Sequence, residues 1–445
     1  MRIKRTCLLT CICLLALGSS CDAPERKVSE MKLPDIEGLF EFYGEKQAAG
    51  AYKILADSLV RANEDLKSSE LYIQAAFAYW EGGVTDSAVA MMHRAIDQGM
   101  SNPRILEKFP KGDREMEGPQ WSALNERLDS IQTELEALSH FEFKTEAMDA
   151  FWPYFNAALK DTSQARIQLK TFVFKGPQEV RDFYVVRYGS VDQMYGQMIN
   201  AAPNYYTYLQ QQFSQDSIKS VKETIVRSMR TFRDLYPMAV FPKVYIVPGI
   251  LNSGGTATEM GMFLGGDMYG KSSRMPTEEL TDWQRGAIMD FRDLPRITIH
   301  ELMHFQQNYR DEQNRDNLLA AVLHEGICDL MAELCSGEPL ENENLVFLSD
   351  PENEKWIFEE LSTELLGDEF SKWLYNGGSI EDRPHDLGYT VGYLISKSYY
   401  EQHPDKQEAV FELLNSDDLT RIVRNSKYAY LLDRSDAVTE QIITE

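Results

Sequence analysis

Between Pro237 and Gly270 the chain drops the 3.6-residue apolar repeat that runs through most of its length, and this break sets its fold class. "KVYIVPG" reads as a short strand, "LNSGGTAT" as a glycine-rich turn, and "EMGMFLGGDMYG" as a second strand interrupted by glycines. Helical periodicity fills residues 146–236 and resumes near 277, with loops expected around 337–355 and 376–385. Two short strands set among long helices predict an α+β fold, a small sheet beside long helices. The aromatics of 151–208, such as Phe151, Trp152, Tyr205 and Tyr206, read as core.

Ahead of this region, residues 36–140 carry a purely helical pattern. "LYIQAAFAYWEGG" and "TDSAVAMMHRAIDQG" are two amphipathic segments split by Gly82-Gly83 and closed by Gly99. Tyr72, Ala76, Tyr79, Ala88, Met92 and Ala95 fall where a tetratricopeptide repeat of about 34 residues places its packing residues. "YKILADSLVRANEDL" is a weaker partner, and a plain helical hairpin fits equally well. Either way the region reads as a scaffold or docking surface for a protein partner.

The net charge of −25, from 70 acidic against 45 basic residues, argues against a nucleic-acid partner, which needs clustered Lys and Arg. Residues 1–20 have the form of an export signal, with a basic start (Arg2, Lys4, Arg5) and an apolar stretch from Cys7 to Leu17. Small residues then end at Cys21, which resembles a bacterial lipoprotein processing site, with ordinary cleavage nearby as the alternative. A lipidated Cys21 predicts a membrane-anchored protein of the bacterial cell envelope, with polar residues 22–35 as a tether. Only Cys328 and Cys335 remain in the body; seven apart on a helix, their Cα atoms lie about 10 Å from each other, too far for a disulfide. Two buried thiols are expected.

The chemistry is concentrated in "ITIHELMHFQQ". Residues four apart on a helix share a face, so His300 and His304 can converge on one metal ion. Glu301 is about 100° round from His300, placed to hold a water on that ion without binding the ion itself. Ile299, Leu302 and Met303 face the other way into a core, and Pro295 suits the first turn. Zinc wants a third protein ligand and one position for water. "LLAAVLHEGICDLMAELCSG" reads as a second helix ending before Gly337, and it carries Glu325 twenty-one residues after His304. Asp329 follows on the same face, where it can accept the free N–H of a ligand imidazole, and Gly326 leaves room for a neighbouring helix. Glu333 is a rival third ligand; Cys328 lies near the ligand stripe but reads as a packed thiol. His324 is expected to point aside, and His93, His140 and His403 to be incidental.

His300-Glu301-x-x-His304 followed by Glu325-x-x-x-Asp329 resembles the gluzincin clan of zinc peptidases. "YPMAVFPKVYIVPGILNSGGTAT", "HELMHFQQ", "HEGICDLMAELCSG" and "DLGYTVGYLISKSYYE" together resemble a bacterial family of zinc-protease-like proteins that carries a domain-of-unknown-function label, over roughly residues 146–435. That resemblance implies a zincin-like domain, one zinc ion on His300, His304 and Glu325, Glu301 as general base, and Asp329 hydrogen-bonded to a ligand. It implies a peptide or protein substrate, an edge strand lining the cleft with "EMGMFLGGD" as its counterpart, and a late His or Tyr facing the oxyanion. Tyr389 is the first candidate for that donor and His385 the second, with Tyr393 nearby. The spacing from His304 to Glu325 is one residue longer than in thermolysin, and thermolysin's flanking motifs are absent. The competing expectation is a lipoprotein subunit of an envelope assembly that keeps a peptidase-like fold without turnover; a further one is a zinc hydrolase acting on something other than a peptide.

Overall fold

A computed structural model describes residues 26–110, 115–213, 215–308, 317–376 and 380–432. The export signal, Cys21 and the first residues of the expected tether lie outside the described residues. Among the described residues no helix is long and apolar enough to cross a membrane.

The fold is mostly helical with one small mixed sheet, an α+β arrangement. Helices α1 (Ile36–Ala48), α2 (Tyr52–Ala62), α3 (Ser69–Glu81), α4 (Thr85–Asp97) and α5 (Pro119–Glu136) form the first layer. Gly82 and Gly83 turn α3 back on α4, and Tyr72, Ala76, Tyr79, Ala88, Met92 and Ala95 are all buried there. Residues 26–35 are seated rather than extended: the backbone N–H of Lys32 donates to Asp65 at 2.7 Å and the Tyr184 hydroxyl to the Pro34 carbonyl at 3.0 Å.

Strand β1 (Phe143–Lys144) opens the second region and is followed by α6 (Glu146–Lys160), α7 (Ala165–Lys175), α8 (Gln178–Phe183), α9 (Val191–Met194), α10 (Pro203–Gln212) and α11 (Gln215–Leu235). Then come β2 (Val244–Val247), β3 (Gly255–Thr258) and β4 (Gly261–Gly265), in the spatial order β1-β2-β4-β3. β2 runs parallel to β1 and β4, while β3 is antiparallel to β4 with Gly255 opposite Leu264. Every residue of β2 and β4 is buried, so these strands read as apolar runs rather than as alternation. Two expectations are corrected here. Half of "LNSGGTAT" is strand β3, because Thr256 and Thr258 suit a ladder that the flanking glycines disguise. The "EMGMFLGGD" strand is interior, and the sheet edges are β1 and β3.

The aromatic crowd has a further use. Tyr188, Tyr206 and Tyr208 donate their hydroxyls to the carbonyls of Pro248, Gly249 (2.8 Å) and Gly270 (2.9 Å), while Tyr205 donates to that of Asp267. The fully buried Asp267 carboxylate accepts the N–H of Gly249 at 2.7 Å and that of Leu251, whose φ is +56°. The loop leading into β3 is thus pinned from several sides, and β3 with it.

The remaining helices are α12 (Asp282–Ala287), α13 (Leu294–His304), α14 (Leu318–Ser336), α15 (Glu343–Leu348), α16 (Pro351–Glu364), α17 (Leu387–Gln402), α18 (Lys406–Asn415) and α19 (Leu419–Arg424). α15 and the start of α16 occupy the stretch expected to be a loop at 337–355; Asn342 and Asp350 cap them, signals that the polar composition masked. The two layers are tied together. Ser68 and Ser69 at the start of α3 hydrogen-bond the buried Asp182, and Ser101 donates to the carbonyls of Glu259 (2.7 Å) and Met260 (2.8 Å) at the β3–β4 turn.

Candidate metal centre

α13 begins with Pro295 in its first turn and buries Ile299, Leu302 and Met303, as its sequence requires. α14 runs to a left-handed Gly337. It meets α13 on one side and α17 on the other. The α14–α17 contact is made through glycine: a Cβ on Gly326 would fall 2.1 Å from the Gly392 carbonyl carbon, and one on Gly392 would fall 1.8 Å from the Val322 carbonyl oxygen. No side chain other than hydrogen fits, so the expected close approach at Gly326 is real and α17 reaches the site.

His300, Glu325 and Asp329 are all buried at the α13–α14 contact. Asp329 Oδ1 lies 3.0 Å from His300 Nδ1, and Gln307 Oε1 lies 3.0 Å from His304 Nδ1. The Gln307 amide is oriented by its own N–H, which donates to the His324 carbonyl at 2.7 Å, so its oxygen must face the imidazole. Each histidine therefore carries a proton on Nδ1 and turns Nε2 inward. Glu325 Oε2 sits 3.3 Å from His300 Nε2 and 3.5 Å from His304 Nε2. Two imidazole nitrogens and a carboxylate oxygen facing one another in a buried place need a cation between them, either a proton on Nε2 or a metal ion. Ligands about 2.1 Å from a tetrahedral zinc lie about 3.4 Å from each other, which is close to the two separations from Glu325 Oε2.

The electrostatics agree with that reading. Burial, the largest influence on His300, works against its charged form, yet the bonds to Asp329 and Glu325 outweigh it and hold the imidazole well above its ordinary value. Burial likewise acts to raise Glu325, but the two histidines keep it far below the usual carboxylate range. The cluster favours positive charge.

His300, His304 and Cys328 also form a group that could hold a metal ion, their ligand atoms lying within 4.8 Å of one another. The Cys328 sulfur approaches His304 from its Nδ1 side, at 3.4 Å, and donates to the His324 carbonyl. Burial and the neighbouring carboxylates push this thiol well above its usual pKa. Cys335 is buried and free as well, so the expectation of two separate thiols stands.

The other candidates separate clearly. Glu301 lies against the sheet edge, where a Cβ on Gly255 would come within 2.7 Å of its carboxyl carbon. The Tyr389 ring stacks on His300 with centroids 6.2 Å apart. His385 is exposed; no hydrogen bond or ring contact joins its imidazole to the cluster among the described residues. Glu333 accepts from Lys397 at 2.7 Å and from the Tyr393 hydroxyl, which takes both Glu333 and Tyr393 out of the site. His324 does not point aside: its ring stacks on His304 with centroids 4.6 Å apart, and burial with the adjacent His304 lowers its pKa to about 4. Two participants carried no signal in the motif, Gln307 and Tyr375, whose hydroxyl donates to Glu325 Oε1 at 2.8 Å. Gln307 sits one turn past His304 and was within reach of helical spacing; nothing in the sequence marked Tyr375.

A cleft of about 620 Å³ opens beside His304. It is lined by Ala257 and Thr258 of β3, by Phe305–Asn308 and, from the first layer, by Asn102, Arg104 and Lys108. No family model, curated protein or solved structure matches this chain.

Proposed function

We propose that the protein is a zinc-dependent metallopeptidase of gluzincin type, with His300, His304 and Glu325 as ligands of one ion. The observation that carries this reading is the convergence of two oriented Nε2 atoms on Glu325 Oε2 at 3.3 and 3.5 Å. Cys328 is the weaker third ligand because its sulfur meets the wrong nitrogen of His304. An ion held by this set would bring the pKa of a water toward neutrality and polarise a carbonyl.

The chain's own groups supply the rest. Glu301, beside the sheet edge, takes the proton of the attacking water on its carboxylate and returns it to the leaving amine. β3 pairs with β4 on one side only, and its other side runs along the cleft, where an extended peptide can add as a further strand. Tyr389, against His300, is the donor toward the developing oxyanion. His385 is too exposed to serve there. Asp329 and Gln307 fix the tautomers. The helical layer, whose α3–α4 hairpin is tetratricopeptide-like or a plain helical hairpin, lines part of the cleft. Attachment to a bacterial envelope through a lipid on Cys21 completes the proposal.

The test is a pair of variants. Glu301→Gln should retain one zinc per chain and hydrolyse no member of a peptide library, while Glu325→Ala should lose most of the metal. Zinc retained with unchanged hydrolysis in Glu301→Gln would remove the peptidase assignment.

A further inference from the structure

We propose that Tyr375 is a positioning residue for Glu325: its hydroxyl occupies the outer carboxylate oxygen, so that Glu325 meets the metal through Oε2 alone. The inference rests on the metal-site reading above and deepens it.

Tyr375 is unusual in three respects. Its φ of +58° lies in the left-handed region that side chains other than glycine's seldom adopt. The residue as a whole is 69% exposed. Its hydroxyl nevertheless reaches a carboxylate that is itself buried, donating to Glu325 Oε1 at 2.8 Å. Strained backbone of this kind persists where its surroundings hold it, and here they do. The N–H of Asn376 donates to Asp386 Oδ1 at 2.9 Å and the N–H of Asp386 donates to Asn376 Oδ1 at 3.1 Å, a reciprocal pair that closes the neck of the loop. Asp386 is left-handed too, with φ of +53°. The Tyr389 ring stands edge-on to Tyr375 at 6.2 Å and supports it over Glu325.

The division of labour between the two oxygens is the point. Oε2 faces both imidazoles; Oε1 faces the phenol. A carboxylate with both oxygens free can close on a divalent ion through both and take the position that a hydrolytic site keeps for water. A hydrogen bond to Oε1 opposes that closure by holding the oxygen and drawing off its charge. An exposed phenol on a stiffened loop can do this without occupying the cleft.

The experiment uses the full chain and Tyr375→Phe, stripped of metal and reloaded with cobalt(II) alone or zinc alone. Wild type should show the intense visible absorption of four-coordinate cobalt. Tyr375→Phe should bind one ion with a weaker, five-coordinate spectrum and a zinc affinity shifted by about tenfold, with the thermal midpoint of the metal-free protein unchanged. Identical spectra and affinities in the two proteins overturn the proposal. So does a fall in kcat with both metal readouts unmoved, which would make Tyr375 a substrate contact. Wild type that takes up no metal removes the metal-site reading, and this inference with it, without reference to the variant.

Discussion

Gly392→Ala separates the two helices on which the site depends, and its cost can be worked from the backbone. The new Cβ would lie 1.8 Å from the Val322 carbonyl oxygen and 2.6 Å from its carbon. Close carbon–oxygen contacts settle at about 3.3 Å, so α17 must retreat from α14 by about 1.5 Å. Alanine recovers about 1 kcal/mol of helix propensity. Overpacking costs about 1–3 kcal/mol even where flexible side chains give way; here the obstruction is backbone, so the upper end applies and the net loss is about 2 kcal/mol. Urea unfolding followed by circular dichroism should show the midpoint lowered with the slope unchanged. Gly326→Ala should behave alike, since its Cβ would meet the Gly392 carbonyl carbon and the Tyr393 nitrogen at 2.1 Å. One retreat relieves both clashes, so the double variant should cost less than the sum of the singles, by more than about 0.5 kcal/mol. The retreat also carries Tyr389 off His300, and hydrolysis should fall in either single variant. A wild-type midpoint in Gly392→Ala would refute the argument, as would strict additivity.

Three further outcomes are expected. Asp329→Asn should lower zinc affinity about 10- to 100-fold by weakening the acceptor of His300 Nδ1, measured by chelator competition. Gly255→Ala should depress kcat while zinc stoichiometry holds, because its Cβ would strike the Glu301 carboxylate; equal loss of metal would contradict this. The third concerns Asp182, which burial raises to about 6 from an ordinary 3.8, with the bonds from Ser68, Glu70 and Ser69 opposing the rise. A carboxyl whose folded pKa is raised contributes its stability below about pH 4 and loses it as pH climbs through about 6, a change on the order of 3 kcal/mol. Asp182→Asn should remove that slope, so the variant gains on wild type between pH 4.5 and pH 7 in urea unfolding; parallel curves would show that Asp182 does not titrate there.

The parts of the fold that the sequence made legible are those where one period dominates. α14 was readable from Leu318 to Ser336 because an apolar run ends in a glycine that takes φ of +75°. The α3–α4 hairpin was readable for a similar reason: Gly83 adopts φ of +73° between two amphipathic segments. β1 was not readable. It has only two residues, and its strand character comes from pairing with Val244 and Tyr245, a hundred positions away. β3 was missed by the same logic, since Gly255 and Thr256 become strand by lying beside Leu264 and Phe263. Strand order is also non-local, so the sequence pointed to the wrong strand as the edge.

At the site, what helical geometry determines was visible and what loops determine was not. His300, Glu301 and His304 lie on one helix and Glu325 and Asp329 on the next, so spacing alone placed them on common faces. Spacing could not rank Glu325 against Glu333, which share that stripe two turns apart. Their partners differ: Lys397 and the Tyr393 hydroxyl of α17 engage Glu333, while Glu325 meets the Tyr375 hydroxyl and the two imidazoles. The two glutamates are therefore held differently. One is given an ammonium and made structural. The other is given the Tyr375 phenol on one oxygen and two imidazole nitrogens on the next, an arrangement that a proton or a metal ion can complete. Cys328 offers no comparable demand, because its thiol already has the His324 carbonyl as acceptor. The group that gains most from a cation is the carboxylate, and on that ground Glu325 is the ligand we propose.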